Sequence, residues 1–156
     1  MGSERATIVM DRRAIEQAIP HRPPYLFVDR VLERSDDAVT AEWDIRADLP
    51  ALSGHYPGNP ILPGALISEF TFQCAAILFS KSEENSVVTN SIPVLTKIED
   101  ARFKKMVAPG ETLRARVETI EKLGPARFMK ASVTSNGETV ARLHFTVALV
   151  EKRTGG

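Results

Sequence analysis

Glu69 is the side chain whose position most needs a chemical reason. It stands within residues 64–80, a run apolar on nearly every helical face, and it is the only ionisable group offered to that face pattern apart from a thiol. A helix of this pattern is surrounded by protein rather than lying half in water. Burying a carboxylate without a partner is costly, and burial favours its neutral form. Glu69 therefore reads as an acid kept protonated, unless it turns along the helix edge to water or bonds Gln73 one turn later. His55 precedes it by fourteen positions, at the start of a loop in which three prolines and three glycines fall within eleven residues, 54–64. Proline fixes φ and glycine frees it, so such a loop holds one shape. A histidine held there is an acid–base partner for the carboxyl. Gly64 falls where the helix begins. Its N–H is free of intrahelical bonding and points out at the positive end of the helix dipole, where it can polarise a carbonyl oxygen. Gln73 has two readings, an amide that orients Glu69 or a buried amide bonded to backbone.

These groups must be held by the elements around them. Residues 1–9 read as loose, and residues 11–19 as a short helix capped by Asp11 and ended by Pro20, Pro23 and Pro24. His21, in that proline-rich turn, reads as structural, with no carboxylate near it in the sequence. Residues 25–33 and 38–45 read as strands joined at Asp36-Asp37 into a hairpin. The helix over 64–80 is long enough to cross a small sheet, and the polar residues 81–86 close it. Strand patterns follow over 87–98, 100–105 and 112–123, and residues 127–134 and 139–150 form a hairpin about Asn136-Gly137. One apolar helix with about six antiparallel strands predicts an α+β fold in which the sheet wraps the helix.

The 156 residues are 43% hydrophobic and 26% charged, which fits one soluble domain, with its core over about 10–150 and flexible ends. Twenty basic and twenty acidic side chains cancel, so no global field argues for nucleic acid or a membrane surface. No apolar run approaches a membrane span, and the cytoplasm is the expected location. The single cysteine, Cys74, excludes an internal disulfide and reads as a small core hydrophobe. Three histidines and one cysteine with no close pair argue against a metal site, and no cofactor is expected.

The string His55-Tyr56-Pro57-Gly58-Asn59-Pro60-Ile61-Leu62-Pro63-Gly64, followed by Glu69 and Gln73, closely resembles the signature of bacterial 3-hydroxyacyl-acyl-carrier-protein dehydratases. Residues 19–31, from Ile19 through His21, Arg22 and Tyr25 to Val31, and residues 101–111, from Ala101 to Glu111, resemble two further segments of that family in the same order. The resemblance implies the hotdog fold. It also implies a homodimer with active sites at the interface, His from one protomer and the acid from its partner, and commonly three dimers in a hexamer. The implied reaction is dehydration of a (3R)-3-hydroxyacyl thioester to the trans-2-enoyl thioester. In it His55 is the base, Glu69 the acid and the Gly64 N–H the holder of the thioester oxygen. Gln73, Phe72, Leu66 and Pro63 are the expected substrate-binding residues. Arg102, Lys104 and Lys105 form a local basic cluster that the resemblance assigns to docking of the acidic acyl carrier protein, a solvated strand face being the plainer reading.

Phe70 and Phe72 depart from the small residues expected after the acid, and could shorten or redirect the acyl pocket. Glu rather than Asp at position 69 resembles the dehydratases without isomerase activity. Other readings are a hotdog thioesterase, a specialised dehydratase for polyketide or polyene chains, and a non-catalytic acyl-carrier binding module.

Overall fold

A computed structural model describes residues 6–80, 91–151 and 153. The first element, α1 (Arg12–Ala18), starts where expected, because the Asp11 carboxylate accepts the Ala14 N–H at 2.9 Å and caps the first turn. Of residues 1–9, read as loose, residues 1–5 lie outside the described residues, and Val9 is tied to the sheet. Val9 N–H donates to the Val31 carbonyl and Val31 N–H donates to that of Met10, giving the sheet edge a partner.

Strand β1 (Arg30–Arg34) pairs antiparallel with β2 (Ala38–Asp44). The strand begins later than its sequence pattern because residues 25–27 are held by a side chain of the helix instead of a ladder. A single turn, α2 (Pro50–Ser53), which periodicity does not reveal, opens on proline at its first position. The long helix α3 spans Gly64–Phe79. Beyond it come β3 (Ser91–Phe103), β4 (Thr112–Leu123), β5 (Ala126–Ser135) and β6 (Glu138–Glu151). The polar stretch 81–86 and the start of the strand pattern at 87–90 lie outside the described residues.

All six strands form one antiparallel sheet in the order β1-β2-β4-β5-β6-β3. The β5–β6 turn has Asn136 at φ 50° and Gly137 at φ 77°, the left-handed pair that matches the twist of a two-residue hairpin. Helix α3 packs against β2, β3, β4 and β5, so the sheet wraps it in the hotdog arrangement expected of an α+β chain. Phe70 is fully buried and tilts against Trp43, whose other neighbour is Phe27. Cys74 is buried as a small apolar group, and burial pushes its thiol pKa up.

The expectation that α3 is enclosed on every side holds only in part. Leu66, Glu69, Phe72, Ala76 and Phe79 recur at three- and four-residue spacing and remain half-buried, a stripe that the described residues do not fully cover. No helix among the described residues is long and apolar enough to cross a membrane.

Candidate active site

The loop before α3 is anchored at both ends. His55 N–H donates to the Leu52 carbonyl at 3.4 Å, and Leu62 N–H to that of Val107 at 2.8 Å. Between them Asn59 N–H closes a turn on the Tyr56 carbonyl, with Tyr56 at φ 56° and Gly58 at φ 85°. A left-handed tyrosine is uncommon and persists only where its surroundings impose it. Its ring packs edge-on to the imidazole of His55 at 4.8 Å.

That loop decides which nitrogen of His55 is available. Nδ1 lies 2.7 Å from the Ile61 carbonyl oxygen, an acceptor with no proton to give, so Nδ1 carries the hydrogen. In the neutral ring Nε2 is then left with its lone pair. His55 and Gly64 line one cleft of about 480 Å³, closed by Phe103, Lys104, Lys105 and Met106. Pro63 precedes the helix with extended backbone, and its carbonyl accepts the Leu66 and Ile67 N–H groups. Gly64 is thus the first residue of α3, with no acceptor one turn back for its own N–H. A Cβ at Gly64 would stand 3.3 Å from the Phe103 ring, so glycine keeps that wall close. A larger cleft, between residues 44–48 and 109–112, holds none of these groups.

Glu69 belongs to a second cluster. Five residues past Gly64, at about 100° per residue, it projects from a different side of α3. Its side chain is 20% exposed, so the deep burial expected of it is only partly met within one protomer. Gln73 makes the contacts of both of its readings. It is fully buried, its Oε1 accepts the Phe27 N–H at 2.8 Å, and its Nε2 donates to the Tyr25 carbonyl at 3.0 Å and to Glu69 Oε1 at 3.2 Å.

His21, read from sequence as structural and remote from any carboxylate, has its Nε2 3.9 Å from Glu69 Oε1. Tyr25 joins them. Burial raises its phenol pKa, and the charge of Glu69 and a hydrogen bond to it raise it further. Neither residue is recognisable as part of the cluster from local pattern, because each meets α3 across more than forty positions of chain. Their only signal is that they share the segment 19–31.

Leu66 and Phe72 sit on the half-buried stripe of α3, Phe72 edge-on to Phe145 at 4.9 Å. Neither lines the His55 cleft within the protomer. Of the basic residues, Arg102 pairs with Asp100 at 3.1 Å, and Lys105 with Glu111 at 3.1 Å and Glu138 at 3.5 Å. Burial works against the charge of Glu111, yet bonds from Ala108 N–H, Ser135 and Lys105 hold its carboxyl below the usual range. Lys104 is exposed at the rim of the cleft. Among the described residues no three His, Cys, Asp or Glu side chains converge as metal ligands do.

The family model of the FabA-like domain matches residues 19–144. Among curated proteins, a 3-hydroxyacyl-[acyl-carrier-protein] dehydratase FabZ of Anaeromyxobacter sp. (strain Fw109-5) is 36% identical over 155 residues, covering 97% of this chain and 98% of that protein. One of the same name from Myxococcus xanthus is 37% identical over 144 residues, covering 92% and 94%. Among solved structures, the dehydratase heterocomplex ApeI:P from Xenorhabdus doucetiae superposes with a TM-score of 0.75 at 16% identity, over 88% of this chain and 91% of that one. A hypothetical thioesterase with coenzyme A from Streptococcus pneumoniae gives a TM-score of 0.60 at 15% identity, over 80% and 87%. Both likenesses concern the fold alone. The matched stretch takes in both clusters, His21 with Glu69 and His55 with Gly64, and the chain belongs to the FabA-like family of 3-hydroxyacyl-[acyl-carrier-protein] dehydratases.

Proposed function

We propose that the protein dehydrates (3R)-3-hydroxyacyl thioesters carried on acyl carrier protein to trans-2-enoyl thioesters, in fatty-acid biosynthesis. The observation that carries the reading is the His55 Nδ1 bond to the Ile61 carbonyl, which leaves the Nε2 lone pair for a proton on a ring that lines the same cleft as the start of α3. A base there takes the C2 proton while the Gly64 N–H holds the thioester oxygen as negative charge builds on it. Glu69, in its acid form, gives its proton to the C3 hydroxyl. The C3–O bond breaks, the electron pair of the former C2–H bond becomes the C2–C3 double bond, and water leaves. Exchange with solvent returns His55 and Glu69 to their starting forms.

One chain offers these groups as two half-sites, and a homodimer is the arrangement that joins them, His55 of one copy with Glu69 of the other. Supporting it are the uncovered stripe on α3 and the apolar, exposed sheet edge at β3. Three such dimers in a hexamer are compatible with the same interface. Phe72 and Leu66 then border the acyl chain, whereas Phe70 is spent in the core against Trp43. Lys104 is the best candidate for meeting the acidic carrier, since Arg102 and Lys105 already have carboxylate partners. A cytoplasmic setting suits the buried thiol of Cys74 and a carrier-linked substrate.

The test is dehydration of short, medium and long 3-hydroxyacyl-carrier substrates by the parent, His55→Ala and Glu69→Gln. Enoyl product from the parent, lowered about 10²- to 10⁴-fold in both variants, is expected of a lost base or acid. Release of free thiol without enoyl product at any chain length would contradict the reading. Lys104→Glu in the same assay raises KM for the carrier substrate and leaves kcat alone.

A further inference from the structure

We infer that His21 is a positioning residue for Glu69, donating from Nε2 to Oε1 so that the other carboxyl oxygen, Oε2, carries the proton delivered to the substrate. The inference rests on the reading of Glu69 as the general acid.

His21 is fixed in place by its neighbours. The Arg22 guanidinium donates from Nη1 to the Ile19 and His21 carbonyls and from Nη2 to that of Glu16, fastening the segment to the end of α1. Tyr25 N–H donates to the Arg22 carbonyl at 2.8 Å, and Gln73 clamps the backbone of Tyr25 and Phe27. The imidazole is therefore held at both ends of a short span.

Its tautomer follows from its surroundings. Among the described residues, Nδ1 is buried without a hydrogen-bond partner. A proton there would be a buried donor left unmade, the costlier of the two choices, so the neutral ring carries its hydrogen on Nε2. Nε2 faces Glu69 Oε1 at 3.9 Å, a distance that a small rotation of either side chain closes to a hydrogen bond as the acid ionises.

Gln73 Nε2 donates to the same oxygen at 3.2 Å. With Gln73 donating to Oε1 and His21 Nε2 facing it, Oε1 is the accepting oxygen and Oε2 carries the transferable proton, the Tyr25 hydroxyl being the remaining hydrogen-bonding neighbour of the carboxyl. When the Oε2–H bond breaks and the proton passes to the departing hydroxyl, the negative charge left on Glu69 is shared with these donors. They were oriented before the reaction began, which is where such help is greatest.

The experiment compares the parent, His21→Leu, His21→Gln and Glu69→Gln on a 3-hydroxyacyl thioester and on the matching 3-chloroacyl thioester. Chloride leaves as an anion and needs no proton, so help given through Glu69 matters only for the hydroxyl substrate. His21→Leu is expected to lower kcat on the hydroxyl substrate about 10- to 100-fold with KM nearly unchanged, the worth of one hydrogen bond to a charged group. Glutamine, whose amide reaches where Nε2 stood, restores most of that loss. On the chloro substrate His21→Leu stays close to the parent rate. Equal losses on both substrates, or no loss on the hydroxyl substrate, would overturn the role of His21. Parent-like rates from Glu69→Gln on the hydroxyl substrate would instead remove the acid role itself, and the proposal with it.

Discussion

The two edges of the sheet are built to opposite ends. At β1 the chain covers its own edge, with Val9 and Met10 bonded to Val31. There Arg30 makes a forked pair with Asp44 at 2.8 Å and another bond with Glu42 at 2.7 Å, and Arg114 joins Glu42. At β3 Ile92, Val94, Leu95, Ile98 and Phe103 are 39–47% exposed on a strand of thirteen residues with no neighbour on its outer side among the described residues. A long apolar edge of this kind invites pairing with another chain. One edge is covered and the other is open, and Phe103, on the open side, is a wall of the His55 cleft.

Breaking the open edge is expected to have the largest effect. Ile98→Lys puts a charge on β3 that a second copy would have to bury, and activity should fall by more than about 100-fold with the interface. Sedimentation should show monomers while the far-ultraviolet circular dichroism stays that of the parent. An active dimer would mean that β3 is not the joining edge.

Gln73→Leu sharpens the comparison from inside. It removes the partner of two backbone groups at 25–27, both needed to hold the segment of His21, at a cost of about 2–4 kcal/mol. For a chain of this size that corresponds to a Tm lower by roughly 5–15 °C. Thermal unfolding of the two proteins checks it, and an unchanged Tm would mean the clamp is not holding the segment.

The closed edge should give the smallest effect. Arg30 holds the Asp44 carboxyl below its usual range, with Thr112 assisting against the opposing effect of burial. A carboxyl depressed in the folded state adds stability above its unfolded value of 3.8, and that stability is lost as pH falls through the lower folded value. Because the Asp44 side chain is 45% exposed, screening limits the contribution to about 1 kcal/mol. Asp44→Asn should therefore trail the parent in Tm near neutral pH, with the gap closing below about pH 3–4. A gap that persists to low pH would assign the loss to something other than the charge.

What was legible in the sequence follows the same division. Residues 112–117 alternate cleanly because one face is buried and the other wet, and they open β4, whose alternation ends where the register shifts at Thr119/Glu121. Asn136-Gly137 marked its hairpin through backbone preference alone. The pattern over 87–105 reads as two pieces, whereas β3 runs through both. Its register shifts at Leu95/Lys97 and Ile98/Asp100 break the alternation, and Pro93 is tolerated because the strand lies at an edge. His55 and Glu69 stood out because each is a residue type out of keeping with its neighbours, and Gly64 because it falls where the helix begins. His21 did not, since its role depends on a contact with a helix that begins more than forty residues later.

The most direct test of a site shared between copies is to mix the two inactive variants. His55→Ala and Glu69→Gln, unfolded together and refolded in equal amounts, should form mixed dimers in which one site is intact. Random pairing then restores about a quarter of the parent dehydration rate. Refolded dimers that contain both variants and remain inactive would show that His55 and Glu69 do not act across an interface, and would contradict the shared site.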